Sequence, residues 1–275
     1  MTDDQKIKIA GLGYPVKKSK SPLIYNYWAQ RYGVNLSYEL CEWPPEDLKD
    51  GIKNLIKQGF KGFSVTLPHK QSVYELCDET DDTAEAMKAV NSVTIKDGKL
   101  FGTNTDGYGF HQNIIENFGD RCFSGPAVVL GAGGASRAIL HTLLSAGVPE
   151  IRLTNRTFER AEELAQIAPD KIKPFEWDQR ENILSDIHLL VNTTSLGMEG
   201  QGSLELDLKN LSPVAVVNDI VYYPLETELL KTAKTIGNPV VSGIGMLLHQ
   251  ARPSFKNWTG IDPEVTLDLE KLVLQ

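Results

Sequence analysis

Cysteine is scarce in this sequence: the three present, Cys41, Cys77 and Cys122, lie far apart among 275 residues. They form no CxxC pair, so neither a dithiol redox centre nor a cysteine zinc site is encoded, and no metal is expected. An odd, sparse count fits a reducing compartment, and the cytoplasm is the expected location. A basic excess is also missing. Asp and Glu outnumber Lys and Arg 36 to 28, giving a formal charge of −8. No chain-wide positive field exists to hold nucleic acid, although basic groups can still bind anions locally. No apolar run approaches the roughly 18 residues that a membrane span needs, so no membrane partner is expected. The opening Met1-Thr2-Asp3-Asp4 is acidic and polar, the reverse of a secretory or transit leader. What remains is an ordinary globular composition, 41% apolar and 23% charged. Its length is about 1.8 times a typical domain, which suits one large domain or two ordinary ones.

Strand and helix patterns alternate nearly end to end. Apolar runs predict strands over 7–12, 36–41, 60–66, 127–130, 151–154, 188–192, 214–218 and 240–243. Helical spacing predicts helices over 22–31, 46–58, 107–117, 137–146, 159–167, 226–236, 246–258 and 263–274. Ser21-Pro22 reads as an N-cap followed by a preset first helical position. Asp97-Gly98, between the runs 92–95 and 99–102, reads as a hairpin turn. The polar, Gly/Pro-punctuated stretch 117–126 is the best compositional boundary. Short apolar strands separated by helices argue for a parallel, doubly wound sheet in the second part. The expected fold class is therefore α/β, with two domains.

Gly131-x-Gly133 follows a strand and opens a helix. That geometry lets the backbone approach a pyrophosphate at a helix N-terminus. The third glycine of the usual fingerprint is Ser136 here, and a tight turn needing glycine for steric reasons alone would look similar. The end of the following strand separates the possible cofactors. NAD-preferring folds place an acidic residue there to accept the ribose 2′-hydroxyl. This chain has Asn155-Arg156-Thr157-Phe158-Glu159-Arg160, with the two arginines read as one face of a helix's first turn. Guanidinium groups pair with phosphate, and a carboxylate would repel it, so the pair points to the 2′-phosphate of NADP.

In the first part, Lys70 follows Val65-Thr66-Leu67-Pro68-His69 just beyond a strand, and Asp106 ends Gly102-Thr103-Asn104-Thr105-Asp106 beyond another. A lysine beside a carboxylate can move a proton on an oxygen while hydride moves on its carbon. On spacing alone a plain surface ion pair fits as well. Ser19 and Ser21, among Lys17, Lys18 and Lys20, form a hydroxyl pair that suits a small carboxylate. A basic loop with a serine cap is the alternative.

Taken together these blocks resemble the NADP-linked shikimate dehydrogenase family, from Gly13 to about Gly260. The likeness rests on Ser19-Lys20-Ser21-Pro22, the 65–70 and 102–106 segments, Ala89-Val90-Asn91, 131–137, Asn155-Arg156-Thr157 with Arg160, 219–227, and Gly245-Met246-Leu247 with Gln250-Ala251. The resemblance implies that Ser19 and Ser21 hold a substrate carboxylate and that Thr66, Asn91, Asp106 and Gln250 hold ring hydroxyls. It makes Lys70 and Asp106 the catalytic pair and lines the site with Tyr222. It wraps Gly131, Ala132, Gly133, Gly134 and Ala135 around the pyrophosphate and sets Asn155, Arg156, Thr157 and Arg160 around the adenosine phosphate. Ile220, Gly243 and Met246 then complete the cofactor site. It also implies a substrate-binding and catalytic domain over 1–105, with returning helices 244–275, and a Rossmann-type NADP-binding domain over 106–243. The site is expected in the cleft between them, in a monomer or homodimer that reduces 3-dehydroshikimate for aromatic amino-acid biosynthesis. Lys18, Tyr25, Ser64 and Ser92 depart from the family's usual His, His, Asn and Thr, which bears on substrate preference, quinate included. The rivals are a quinate/shikimate dehydrogenase with relaxed cofactor use, which should carry an acidic residue in place of the arginines, and a non-catalytic shikimate-binding sensor, free to lose Lys70 or Asp106.

Overall fold

A computed structural model describes residues 6–275; the acidic start over 1–4, on which the reading against a leader rests, lies outside the described residues. In chain order the first ten elements are β1 (Ile7–Gly13), α1 (Ser21–Tyr32), β2 (Leu36–Glu42), α2 (Leu48–Lys57), β3 (Gly62–Val65), α3 (Lys70–Leu76), β4 (Glu79–Thr80), α4 (Asp82–Met87), β5 (Ser92–Lys96) and β6 (Lys99–Thr103). The next ten are α5 (Asp106–Phe118), β7 (Ala127–Leu130), α6 (Gly134–Ser145), β8 (Ile151–Thr154), α7 (Phe158–Ala165), β9 (Ile172–Phe175), β10 (Leu189–Asn192), β11 (Val216–Asp219), α8 (Glu228–Thr235) and β12 (Val240–Val241). Two helices follow, α9 (Ile244–Thr259) and α10 (Leu267–Leu274). The chain divides into two compact units, one reaching to Thr105 and taking in Leu248–Gln275, the other spanning Asp106–Leu247. The second crossing therefore falls inside α9. The polar stretch 117–126 is not a boundary: it forms the end of α5 and a 3-10 turn at Asp120–Phe123, whose Cys122 and Phe123 are buried in the second unit's core.

The first unit is built on a six-stranded mixed sheet in the order β2-β1-β3-β5-β6-β4. β1 runs parallel to β2 and β3, while β5 is antiparallel to β3 and β6. Asp97 and Gly98 both have positive φ, 51° and 76°. Two left-handed residues in succession are what a two-residue hairpin demands. Strand alternation sends Ala10, Leu12, Phe63, Val65 and Val93 into a core shared with Leu48, Ile52 and Leu55 of α2. The other face is cut to fit aromatics. A Cβ on Gly11 would lie 2.5 Å from the Tyr38 hydroxyl, and one on Gly62 would lie 2.2 Å from the Trp258 indole nitrogen. That indole donates to the Val93 carbonyl at 3.0 Å. Trp28 of α1 packs on Phe255 of α9, ring centroids 5.5 Å apart.

One expected detail changes. Ser21 does not cap α1 but is its first residue, with Lys20 at the cap position and no side-chain bond there. The Ser19 hydroxyl instead accepts the Ser21 N–H at 3.2 Å, because the loop turns one residue earlier than the Ser-Pro pair suggests.

The second unit is wholly parallel, in the order β12-β11-β10-β7-β8-β9. Ala127 and Val129 enter one apolar layer, Val128 and Leu130 the other, so every residue of β7 is buried. This explains the continuous apolar run in the sequence: a sheet covered on both faces has no polar side to show. The chain winds outward from β7 to β9, then returns to lay β10 on the other side of β7. The turns after β7 and β10 therefore meet at the topological switch point.

Candidate functional site

Each unit carries its own set of candidate side chains. In the first, the loop before α1 is pinned from β2: Glu42, unremarked in the sequence reading, accepts the N–H groups of Val16 at 2.9 Å and Lys17 at 3.3 Å. These bonds hold its carboxylate below the usual range, the Val16 bond contributing most. The Ser19 hydroxyl donates to the Ser21 hydroxyl at 3.1 Å, so the two stand together at the start of α1. Tyr38 stands beside them, bonded to the Ser64 hydroxyl, and burial pushes its phenol up to about 12. Tyr25 stacks on it at 4.8 Å. Two of the departures from the family pattern, Tyr25 and Ser64, thus touch one phenol.

Thr66 leaves β3 with its N–H on the Leu12 carbonyl at 2.8 Å. A Cβ on Gly13 would strike its methyl at 2.5 Å, so this threonine depends on a glycine in the neighbouring strand. His69 is buried at 1% exposure, and its ring bonds the Trp43 carbonyl at 2.8 Å; that anchor precedes Lys70, the first residue of α3. The Lys70 carbonyl accepts the Val90 N–H at 2.9 Å, which ties this turn to the residue before Asn91. Asn91 is buried; its amide oxygen accepts the Thr105 N–H at 2.9 Å and hydroxyl at 3.1 Å, and its amide nitrogen reaches Gln250 at 3.5 Å. The structure thus brings Asn91 and Gln250 together and fixes Thr105, directly before Asp106. Asp106 is itself buried, at 7% exposure, as the first residue of α5 and of the second unit.

In the second unit the turn after β7 is tied on two sides. Asn155 Oδ1 accepts the Ala132 N–H at 3.0 Å, and Ser136 Oγ accepts the Gly133 N–H at 3.0 Å. Gly131 has φ +106°, and a Cβ there would lie 2.7 Å from the Thr193 hydroxyl, so the protein itself requires this glycine. Gly133 and Gly134 differ. Neither has positive φ in that range, and a Cβ on either would meet nothing within 4 Å. The chain leaves a glycine-lined opening at the N-terminus of a 12-residue helix, where backbone N–H groups lack helical partners. An anionic group fits that cradle.

Arg156 and Arg160 are both exposed, but they do not share a first helical turn as expected: α7 starts at Phe158, so Arg156 precedes it. Asn155 also donates to the Thr157 carbonyl at 2.8 Å, which shapes the turn that presents both arginines. Ile220 and Met246 pack with the apolar layer of this unit, Met246 at 8% exposure. Gly243 lies so close to the Ile220 carbonyl that a Cβ would come within 2.1 Å. The segment bearing Ile220 and Tyr222 hangs on Asp219. That buried carboxylate accepts from Thr227 at 2.7 Å, the Val221 N–H at 3.0 Å and Asn192 at 3.0 Å. Burial raises its pKa despite these three donors. Tyr222 is half-buried, and burial raises its phenol. In the sequence Asp219 stands out only as the start of the 219–227 block, just past the strand expected over 214–218; once buried, its lone charge needs these partners.

A parallel sheet of this order, with a glycine turn at its switch point, defines a Rossmann-type unit, joined here to a second α/β unit. Comparison with known proteins makes the assignment particular. Residues 12–93 match the shikimate dehydrogenase substrate binding domain, 115–198 the shikimate / quinate 5-dehydrogenase family, and 243–272 the shikimate 5′-dehydrogenase C-terminal domain. A shikimate dehydrogenase (NADP(+)) of Ruegeria sp. is 48% identical over 95% of this chain and 96% of its own. One from Paramagnetospirillum magneticum is 46% identical over 98% of this chain and 99% of its own. The solved shikimate 5-dehydrogenase of Thermus thermophilus, in complex with NADP(H) and shikimate, superposes with a TM-score of 0.86 at 34% identity, covering 97% of this chain and 98% of that one. A quinate dehydrogenase of Corynebacterium glutamicum, in complex with NAD, gives 0.91 at 28% identity, over 98% and 99%. The chain belongs to the shikimate dehydrogenase family. Among the described residues no helix is long and apolar enough to cross a membrane.

Proposed function

We propose that this protein is an NADP-dependent shikimate dehydrogenase, which reversibly reduces 3-dehydroshikimate to shikimate on the route to chorismate and the aromatic amino acids. The observation that carries the reading is the cradle at Gly133 and Gly134, open to a Cβ on either, followed by Asn155, Arg156 and Arg160 where an NAD-preferring fold would carry an acid. NADPH, when bound, supplies the hydride that goes to the ring ketone carbon. Ser19 and Ser21 hold the substrate carboxylate, and Thr66, Asn91, Asp106 and Gln250 bind the ring oxygens. Lys70, oriented by Asp106, gives its proton to the ketone oxygen as it becomes an alkoxide, and takes it back in the oxidation. Arg156 and Arg160, with Asn155 and Thr157, hold the adenosine 2′-phosphate by charge and hydrogen bonding. Ile220, Gly243 and Met246 border the nicotinamide, and Tyr222 lines the substrate side. The protein works in the cytoplasm as a monomer or homodimer.

The test is direct. Purified protein mixed with NADP and shikimate should form NADPH, followed by its absorbance. Quinate in place of shikimate, and NAD in place of NADP, should give much lower kcat/KM. No turnover of shikimate with NADP, or faster turnover of quinate with NAD, would overturn the assignment.

A further inference from the structure

We infer that Thr193 is a positioning residue for the phosphate loop, acting through Ser136; the inference rests on the NADP reading above. Thr193 follows β10 on the far side of the switch point from β7. Its hydroxyl donates to the Leu130 carbonyl at 2.7 Å, and the Ser136 and Thr193 hydroxyl oxygens are 2.6 Å apart. A threonine hydroxyl has one proton, and here it is committed to Leu130, so Ser136 is the donor in the second bond. Ser136 in turn accepts the Gly133 N–H at 3.0 Å. The protons therefore run one way, from Gly133 to Ser136 to Thr193 to Leu130. Ser136 is 0% exposed and Thr193 9%. In such a setting successive hydrogen bonds polarise one another, and a broken link leaves a buried donor without a partner.

The consequence falls on the loop's backbone. Gly133 caps α6, and its peptide plane sets where the first-turn N–H groups point. Glycine has no side chain to hold that plane, and nothing lies near its Cα on the open side. The bond from its N–H into Ser136 is a fixed restraint, and Thr193 aims Ser136. The loop also folds around the threonine from above: the Gly131 carbonyl is 3.3 Å from the same hydroxyl. Serine in the place of the third fingerprint glycine thus has a reason in this chain. It exchanges close helix packing for a hydroxyl bridge to the strand across the switch point.

Ligand binding without turnover tests the idea. T193V keeps the side chain's volume and removes only the hydroxyl. By calorimetry its Kd for NADP and for NAD should rise by the same factor, about fivefold, as expected for one buried hydrogen bond. The Kd for adenosine 2′-monophosphate, which has no pyrophosphate, should stay at the wild-type value. T193S restores the hydroxyl and should restore both affinities. S136A should weaken NADP to a similar degree, and the S136A/T193V pair should be no weaker than either alone. Unchanged NADP affinity in T193V and S136A would overturn the inference, as would an equal loss for adenosine 2′-monophosphate, which would mark a general loosening of the unit. Wild-type protein that binds no NADP would instead sink the cofactor reading itself. If T193V does not fold, S136A against T193S decides.

Discussion

Gly62 and Gly133 stand at comparable places, one at a strand's start and one just past a strand's end, yet different things require them. A Cβ on Gly62 would lie 2.2 Å from Trp258 and 2.3 Å from the Val93 carbonyl. A Cβ on Gly133 would meet nothing within 4 Å. The first unit sets two of its sheet glycines against its own aromatics: Gly11 admits Tyr38 and Gly62 admits Trp258. The second leaves two of its glycines facing open space at a helix N-terminus. A glycine that the chain's own atoms do not need is a sign of something outside the chain that approaches the backbone there.

Gly62→Ala is the severest way to press the comparison. The added carbon must displace main chain as well as an indole, and the Trp258 bond to Val93 cannot survive unmoved. Overpacking of this kind costs about 3 kcal/mol or more, to be read as a lower midpoint in urea unfolding. A variant as stable as wild type would show that the aromatic face yields, and that the division between the two kinds of glycine is overdrawn.

Lys70→Ala comes next and should separate stability from chemistry within the first unit. Lys70 is half-buried at the first position of α3. The variant should unfold within about 0.5 kcal/mol of wild type. Turnover should fall at least about a hundredfold, close to 2.7 kcal/mol of barrier, with little change in KM for shikimate. Near-normal turnover would mean that the lysine only positions the ring.

Asp219→Ala asks whether the second unit also has residues that answer to its own chain. Removing this carboxylate strands donors on Thr227, Val221 and Asn192. We expect a loss of about 2 kcal/mol in stability at neutral pH. The pH dependence has a definite sign. Burial raises the folded-state pKa of Asp219 above the unfolded value, so folding takes up a proton between the two. Its contribution to stability therefore falls as pH climbs from the ordinary aspartate range to that raised value. The variant should lack this part of the slope, and a profile parallel to wild type would show that Asp219 titrates normally.

The two units also differ in how far the sequence discloses them. The second unit's central strands β7 and β8 are legible to the residue: burial on both faces makes β7 a continuous apolar run, and in β8 Ile151 and Leu153 keep the strand pattern around Arg152. β9 escapes notice, since Pro174 argues against a strand; the structure places it at the sheet's edge, where a missing N–H is tolerated. β4, two residues long at the other sheet's edge, carries no pattern at all. Among the candidate site residues, local motifs single out Ser19, Ser21, Lys70 and the glycine turn. Asn91 and Gln250 meet across more than half the chain, and only the resemblance joins them before the fold does. Glu42 and Thr193 act from neighbouring strands on loops far away in sequence, and no local signal marks either one. Arg156 and Arg160 do not share the expected first helical turn, because α7 begins after Arg156 rather than before it.

Gly133→Ala carries the smallest structural effect and bears most directly on the comparison. Gly133 has φ −100° and ψ −169°, an extended conformation that alanine adopts freely. The substitution meets no neighbouring atom, and it restricts the unfolded chain, so stability should be unchanged or higher by about 0.5 kcal/mol. Cofactor binding should nonetheless weaken, about tenfold for NADP and for NAD alike, since the methyl stands where the shared pyrophosphate approaches the backbone. Arg156→Ala should contrast with it by weakening NADP far more than NAD, as the proposed pairing of its guanidinium with the 2′-phosphate requires. Calorimetric titration of the two variants with both dinucleotides reads these losses without any catalytic step. A Gly133→Ala protein that is stable and binds NADP as tightly as wild type would mean that the opening above the glycine is not where the phosphates lie. A destabilised one would mean that this glycine, like Gly62, is needed by its own chain.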